Sequence, residues 1–317
     1  MDEKVRDVVM IGAGPSALAA AVYTTREDID TVLYEKGVVG GLAAITDMVD
    51  NYPGFPDGIE GLKLATQLQK QAERFGAQIE LGDVSAIRDQ DGHKVVVVDG
   101  QDVAAKVVLI ATGSDYNKAG IPGEKEYYGR GAHYCATCDG AFYRDKRLVV
   151  IGGGNSAVQE SIYLTRFASH IDMVVRSKIS ASEVLQHDLQ PYIDSGKIAV
   201  HLATVASEII AINGKVAEVT AVTDGQPVSF KTDGVFVFVG LSPNTQFLKE
   251  SGVELDERGY IKTDDHLQTN LPGVYASGDV RSGATMQIAS AVGEGATAAL
   301  AIREYLDHQK SGGLYDQ

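Results

Sequence analysis

The sequence predicts an α/β protein of two similar domains, the second inserted into the first. Three observations carry that expectation. The pattern G-x-G-x-x-A occurs twice, at Gly12-Ala-Gly14-Pro15-Ser16-Ala17 and at Gly152-Gly-Gly154-Asn155-Ser156-Ala157. Each copy stands between a short apolar strand and a helix rich in small residues, and a second strand follows. A further apolar segment, "GVYASGDV", comes after the second copy is complete and needs a home in the first.

Taken in chain order, "RDVVMIGAGPSALAAAVYTTREDIDTVLYEK" reads as strand, glycine turn, helix and a second strand ending at Glu35. The stretch "VSAIRDQDGHKVVVVDG" follows as strands joined by Asp-Gly hairpins, and "KVVLIATG" closes the copy as an apolar strand running into glycine. Turn-formers in "GSDYNKAGIPG" place a first crossing near Ser114 to Ala119. The order then repeats. "KRLVVIGGGNSAVQESIYLTRFASHIDMVVRSK" ends at Arg176, where the first copy has Glu35; "ASEIIAINGKVAEVTAVTDG" supplies Asn-Gly and Asp-Gly hairpins; "GVFVFVG" closes it. A second crossing is expected near Leu241 to Gln246, in "GLSPNT". The expectation is therefore two Rossmann-like, three-layer ββα domains, residues 1–115 with 246–317 and residues 116–245.

The glycines give the repeat a chemistry. The first permits a tight turn, the second lets backbone approach a pyrophosphate, the small third residue lets helix pack on strand, and the helix N-terminus offers N–H groups to the anion. Two copies in the right context point to two dinucleotides. Glu35 suits the hydroxyls of an unphosphorylated adenosine ribose, as in FAD, whereas Arg176-Ser177-Lys178 tolerates a 2′-phosphate, as in NADPH.

Composition narrows the partners. With 43 acidic against 28 basic residues and a net charge of −15, the chain would repel phosphate backbones and anionic lipid, so neither nucleic acid nor membrane is expected as a partner. The start "MDEKVRDVVM" is acidic where a signal peptide is basic, and Gly, Pro, Asp or Lys interrupts every long apolar run. A cytoplasmic protein is the resulting expectation.

The two cysteines of the chain, Cys135 and Cys138, stand in "HYCATCDG". Structural zinc requires a second ligand pair, which the sequence lacks, and His133 finds no such partner for a metal; inert core thiols are the bland alternative. A reversible disulfide fits best, with a flavin holding electrons between a nicotinamide and the dithiol. Asp139, directly after Cys138, is placed to protonate a departing thiolate, or else forms a turn before Gly140.

The stretches "GAGPSALAAAVYTTRE", "GLAAITDMVDNYPG", "IATGSDY", "YCATCDGAFY", "VVIGGGNSAVQES" and "SGDVRSGATMQIASAVGEGATAAL" resemble, in order and over nearly the whole chain, the low-molecular-weight thioredoxin reductases. The resemblance implies a homodimer with non-covalent FAD that passes reducing equivalents from NADPH to thioredoxin or a similar small dithiol protein, and a rotation between its domains. It implies that Cys138 lies nearer the flavin, that Cys135 attacks the substrate disulfide, and that Asp139 is the acid. It also implies FAD contacts at Gly41, Leu42, Asn51, Val84, Ala111, Thr112, Gly113, Gly278, Asp279, Gln287, Ile288 and Ala289, beside the first cradle and Glu35.

The sequence also departs from that family. NADPH-using members carry His-Arg-Arg-x-x-x-Arg after the second-copy strand; here Val174-Val175-Arg176-Ser177-Lys178-Ile179-Ser180-Ala181 retains one arginine. NADH, NADPH or a nicotinamide-independent donor such as ferredoxin all stay open. Leu42 stands where many relatives have glutamine, and Met286 where arginine is frequent. A ferredoxin or flavodoxin reductase of the same architecture lacks the cysteine pair, and a non-catalytic FAD-binding redox sensor would have no use for the second cradle.

Overall fold

The computed structural model describes residues 5–310 except 47, 50 and 91. Residues 1–115 with 242–317 form one compact unit, and residues 116–241 form the other.

In the first unit the strand Arg6–Ile11 pairs in parallel with Thr31–Glu35 on one side and with Gln101–Ile110 on the other. Gln78–Leu81 extends the sheet outward, and Val274–Ala276, from "GVYASGDV", pairs in parallel with the end of Gln101–Ile110. The first half of that long strand instead runs antiparallel to His93–Val98, which pairs with Val84–Gln90. Asp99 and Gly100 make the turn with φ of 48° and 79°, the pair of left-handed residues that a two-residue hairpin of matching twist requires.

Side chains alternate across the parallel strands, yet both faces are covered, so the strands read as continuous apolar runs. One face, with Val8, Met10, Leu33 and Leu109, packs on the helices Pro15–Thr25 and Ile288–Lys310 through Leu18, Ala21, Ala298 and Ile302. The other, with Val9, Val32, Val108 and Ile110, packs on Val84, Ile87 and Val96 of the antiparallel strands. A Cβ at Gly295 would strike the carbonyl of Ser16, which shows why small residues crowd both helices: their backbones approach closely.

The second unit repeats the plan. Arg147–Ile151 pairs in parallel with His170–Val174 and with Gly234–Val237; Ile198–His201 and Ala132–His133 complete the five-stranded sheet. The antiparallel layer is Thr204–Ile212, Lys215–Thr223 and Gln226–Lys231, turning at Asn213-Gly214 (φ 55° and 76°) and Asp224-Gly225 (φ 50° and 77°). The helices Asn155–Leu164 and Glu183–Asp194 cover the opposite face through Val158, Leu164 and Leu189.

The structure sharpens two expected placements. The second crossing falls between Leu241 and Ser242, inside the expected Leu241 to Gln246 stretch, so the first unit resumes at 242 and not at 246. Asn244 belongs to the first unit because it is tied there: its N–H donates to the Gly113 carbonyl (3.0 Å), its amide to the Thr112 carbonyl (3.0 Å), and its carbonyl accepts from the Thr112 hydroxyl (2.7 Å). The second concerns register. Ile11 stands opposite Tyr34 and Ile151 opposite Val174, so the counterpart of Glu35 is Val175, and Arg176 matches Lys36.

Candidate active site

The first cradle is built by backbone. Gly12, at φ 97°, donates its N–H to the Tyr34 carbonyl (2.7 Å), and a Cβ there would come within 2.6 Å of the Ala111 carbonyl oxygen. A Cβ on Gly14 would meet nothing within 4 Å, so the turn presents bare backbone to open space. Pro15 opens the helix with no side-chain cap, which leaves the following N–H groups to a ligand. Ala17 is fully buried behind the turn, and the hydroxyl of Ser16 bonds that of Ser277 at 2.6 Å.

Around this turn lies a cleft of about 310 Å³, within the size range of cofactor sites. Of the expected flavin contacts, Gly12, Gly14, Pro15, Ser16, Glu35, Gly41, Leu42, Ala111, Thr112, Gly113, Gly278, Asp279, Gln287 and Ile288 line it. Val84 lines a smaller pocket of about 70 Å³ that shares Gly12, Glu35 and Lys36 with the first. Asn51 and Ala289 do not line the cleft: Asn51 donates to Gln287 Oε1 at 3.0 Å, and Ala289 is exposed on the first turn of its helix. Lys36, Ser114, Asp115, Asn244 and Ser277 line it without having been singled out from the sequence. Lys36, Ser114, Asp115 and Ser277 each stand within two positions of an expected contact, and Asn244 does not.

Two carboxyls set the polarity of the cleft. Glu35 accepts N–H groups from Ala13 and Gly37, each at 2.8 Å, which fixes the carboxylate at the strand end with lone pairs left for hydroxyl donors. Asp279 is pushed up to about 6, first by burial and then by the nearby negative charge of Glu294. Glu294 is itself held by Arg281 (2.8 and 2.6 Å) and by the Gly278 N–H (2.7 Å). A bare glycine turn, an uncapped helix, a fixed carboxylate at the ribose position and a second carboxyl deep in the cleft together fit FAD.

The second cradle repeats the backbone bonds of the first. Gly152, at φ 145°, donates to the Val174 carbonyl at 3.1 Å, and a Cβ there would strike the Phe238 carbonyl. A Cβ on Gly154 would meet only the Ser180 hydroxyl, at 3.9 Å, and Gly154 caps Asn155–Leu164 without a side-chain bond. Ala157 is buried; Asn155 and Ser156 are exposed, and Asn155 accepts from the Ser182 N–H at 2.9 Å. Val175, buried, occupies the place that Glu35 has, while Arg176, Ser177 and Lys178 are exposed just beyond it. No acid therefore opposes a 2′-phosphate at this site.

Cys135 and Cys138 form a disulfide. It follows directly from the strand Ala132–His133, which takes the sheet position that Val274–Ala276 takes in the first unit, so the sulfur pair stands where that unit sets Ser277, Gly278 and Asp279. In parallel sheets that edge, beyond the carboxyl ends of the strands, is where ligands bind. Cys135 caps the turn Ala136–Asp139, its Sγ accepting from the Cys138 N–H at 3.2 Å, and the Thr137 hydroxyl lies 3.3 Å from the same sulfur. Asp139 is half-buried, its Oδ2 3.3 Å from His133 Nδ1, and His133 Nε2 bonds the Tyr143 hydroxyl at 2.7 Å. Sequence reasoning weighed His133 only as a metal ligand and missed this pairing.

Comparison with known proteins agrees with the geometry. The pattern of the pyridine nucleotide-disulphide oxidoreductases matches residues 6–295. The thioredoxin reductase of Bacillus subtilis is 42% identical over 309 residues, covering 96% of each chain. Among solved structures, the thioredoxin reductase of Streptococcus pyogenes is 38% identical with a TM-score of 0.89, covering 96% of this chain and 98% of that one. The thioredoxin reductase of Giardia duodenalis is 30% identical with a TM-score of 0.89, covering 96% of this chain and all of that one.

Proposed function

The chain belongs to the pyridine nucleotide-disulphide oxidoreductase family, and from that premise we propose that it is a thioredoxin-disulfide reductase. The Cys135–Cys138 disulfide would take reducing equivalents that NADPH provides and hand them to thioredoxin or a similar dithiol protein, with the first cradle holding FAD. The single observation that carries this is the disulfide at the ligand-binding edge of a nucleotide-binding sheet. FAD, when bound, supplies the exchange between a two-electron donor and a thiol pair.

The residues divide the work. Gly12, Gly14 and the Pro15 helix would hold the pyrophosphate, Glu35 the adenosine ribose and Asp279 a ribityl hydroxyl, while Leu42 and Ile288 keep water from the ring. Gly152, Gly154 and Arg176 would hold the nicotinamide dinucleotide. The half-buried Cys135 thiolate attacks the substrate disulfide, Cys138 resolves the mixed disulfide, and Asp139 gives and takes the proton. A homodimer is part of the same proposal. Tyr23, Leu62 and Leu300 are 42%, 60% and 41% exposed on the helices Pro15–Thr25, Gly61–Arg74 and Ile288–Lys310 of the first unit, apolar side chains that a second copy would cover. No helix of the described residues is long and apolar enough to cross a membrane. A reducing cytoplasm is the proposed compartment, since it is where a dithiol product persists.

Cys138→Ser tests the core of the proposal. The variant should still bind FAD and show its bleaching by NADPH, yet lose thioredoxin turnover by at least about a thousandfold, because no resolving thiol remains. Wild-type turnover in the variant would refute it. Anaerobic titration with NADPH, NADH and reduced ferredoxin identifies the donor by which one bleaches the flavin at stoichiometric addition.

A further inference from the structure

We infer that His133 is the positioning residue for the acid Asp139, held in one tautomer by Tyr143 and in one plane by Phe236. The inference rests on Asp139 acting as the proton donor to the Cys135–Cys138 pair. His133 is 5% exposed on a strand that leads straight to Cys135, and its ring stacks on Phe236 with centroids 5.2 Å apart. Tyr143 meets both rings edge-on, at 5.3 Å from His133 and 5.7 Å from Phe236. The imidazole therefore has one orientation, with Nδ1 toward Asp139 and Nε2 toward the Tyr143 hydroxyl.

The protons follow from those two contacts. A carboxylate facing Nδ1 favours the tautomer with hydrogen there, and the lone pair left on Nε2 accepts from the hydroxyl. Tyr143 can serve only as a neutral hydroxyl at working pH, because burial and the charges of Asp139 and Asp233 hold its ionisation far above the ordinary range. His133 Nδ1 thus stands 3.3 Å from Asp139 Oδ2, an ion-pair contact on one side of the carboxyl, and the inference assigns the transferable proton to the other oxygen, Oδ1. The other titratable group facing Asp139 is Tyr128, itself raised by burial and by that carboxylate, so it too stays neutral.

The step balances as follows. Opening the Cys135–Cys138 bond takes two electrons and two protons to give two thiols; FAD, when bound and reduced, would supply the electron pair and one proton, and Asp139 would give the other and be left as the carboxylate. His133 transfers nothing. It fixes which carboxyl oxygen is free, in the way that an outer partner fixes a ligand or a catalytic group.

Two variants of the full-length holoenzyme test this. His133→Leu keeps an apolar filler on Phe236 and removes the N–H; His133→Asn keeps an N–H close to the Nδ1 position. After reduction with excess dithiothreitol, the rate of thiol alkylation by iodoacetamide is followed against pH, an assay that needs no thioredoxin. His133→Leu should move the midpoint up by about one pH unit, since a carboxylate without its donor repels a neighbouring thiolate more strongly. It should also lower kcat for thioredoxin about tenfold with KM within twofold. His133→Asn should restore both most of the way. A His133→Leu profile that overlays the wild type overturns the inference, and so does an Asn variant no better than Leu, which would reduce the role to packing. A shifted alkylation profile in an enzyme that does not turn over thioredoxin would support the inference and fault the substrate assignment alone.

Discussion

Around Gly12 and around Gly152 the same contacts recur: the glycine N–H to the neighbouring strand, Ala111 to Ile11 (2.9 Å) and Phe238 to Ile151 (2.8 Å), Gly40 to the Ala13 carbonyl and Ser180 to the Gly153 carbonyl (2.8 Å each). Away from the turn the two halves part. The first ends its second strand in Glu35 and sets Asp279 at the far edge of its sheet; the second has Val175 and the disulfide in those places. A phosphate cradle is thus a backbone device, common to any dinucleotide, and identity is written at the rim by a few side chains. On the proposed function, one rim would select and keep a cofactor, and the other, which carries the disulfide, would admit a passing donor.

The largest effect should come from breaking the shared part. Gly12→Val and Gly152→Val each place a β-branched side chain at positive φ against a carbonyl, so both should abolish thioredoxin turnover. They should do so differently. The Gly12 variant should purify colourless, with no flavin absorbance, while the Gly152 variant should keep flavin that dithionite bleaches and a nicotinamide does not. Identical spectra would mean the halves do not divide the dinucleotides as argued.

An intermediate effect should come from Asp279, which has no counterpart in the second half. Its carboxyl ionises near pH 6 in the folded protein and near 4 unfolded, so its stabilising contribution is complete below about pH 4 and disappears as pH rises through about 6. In the apoprotein, Asp279→Asn should therefore gain up to about 3 kcal/mol over the wild type at pH 7 and nothing at pH 4, as read by urea unfolding. The same variant should bind FAD roughly tenfold more weakly, one hydrogen bond's worth. A gain at pH 7 would mark this edge as strained in favour of binding.

Arg176→Ala probes the second rim and should have the smallest effect. Arg176 is exposed, with Ser177 and Lys178 after it, so the contact it would offer a 2′-phosphate is a partly screened one. KM for NADPH should rise about three- to tenfold while KM for NADH stays within twofold, measured by steady-state flavin-linked reduction. Equal changes for the two nucleotides would remove the 2′-phosphate from the account.

Much of this was legible in residue order. The two glycine patterns, the Asn-Gly and Asp-Gly turns and the return of "GVYASGDV" to the first sheet are local or periodic signals, and each is set by what a short stretch of backbone can do. Contacts that join distant stretches left no such trace. Asn244 bonds Thr112 across 132 positions, and His133 gains Asp139 and Tyr143 only when the chain turns back through Ala136–Tyr143 over Phe236. The strand Ala132–His133 is two residues long, too short for any periodicity, and exists because Gly234–Val237 offers it an edge.

By itself, then, the order of residues determined the doubled architecture, the cradles and the paired thiols, because glycine freedom, hydrophobic alternation and cysteine spacing act within a few residues of one another. The tertiary structure alone decided that Asn244 ties back to Thr112 and that an imidazole stands beside Asp139. Register and burial depend on which strand lies alongside, and that choice is made by packing over the whole sheet.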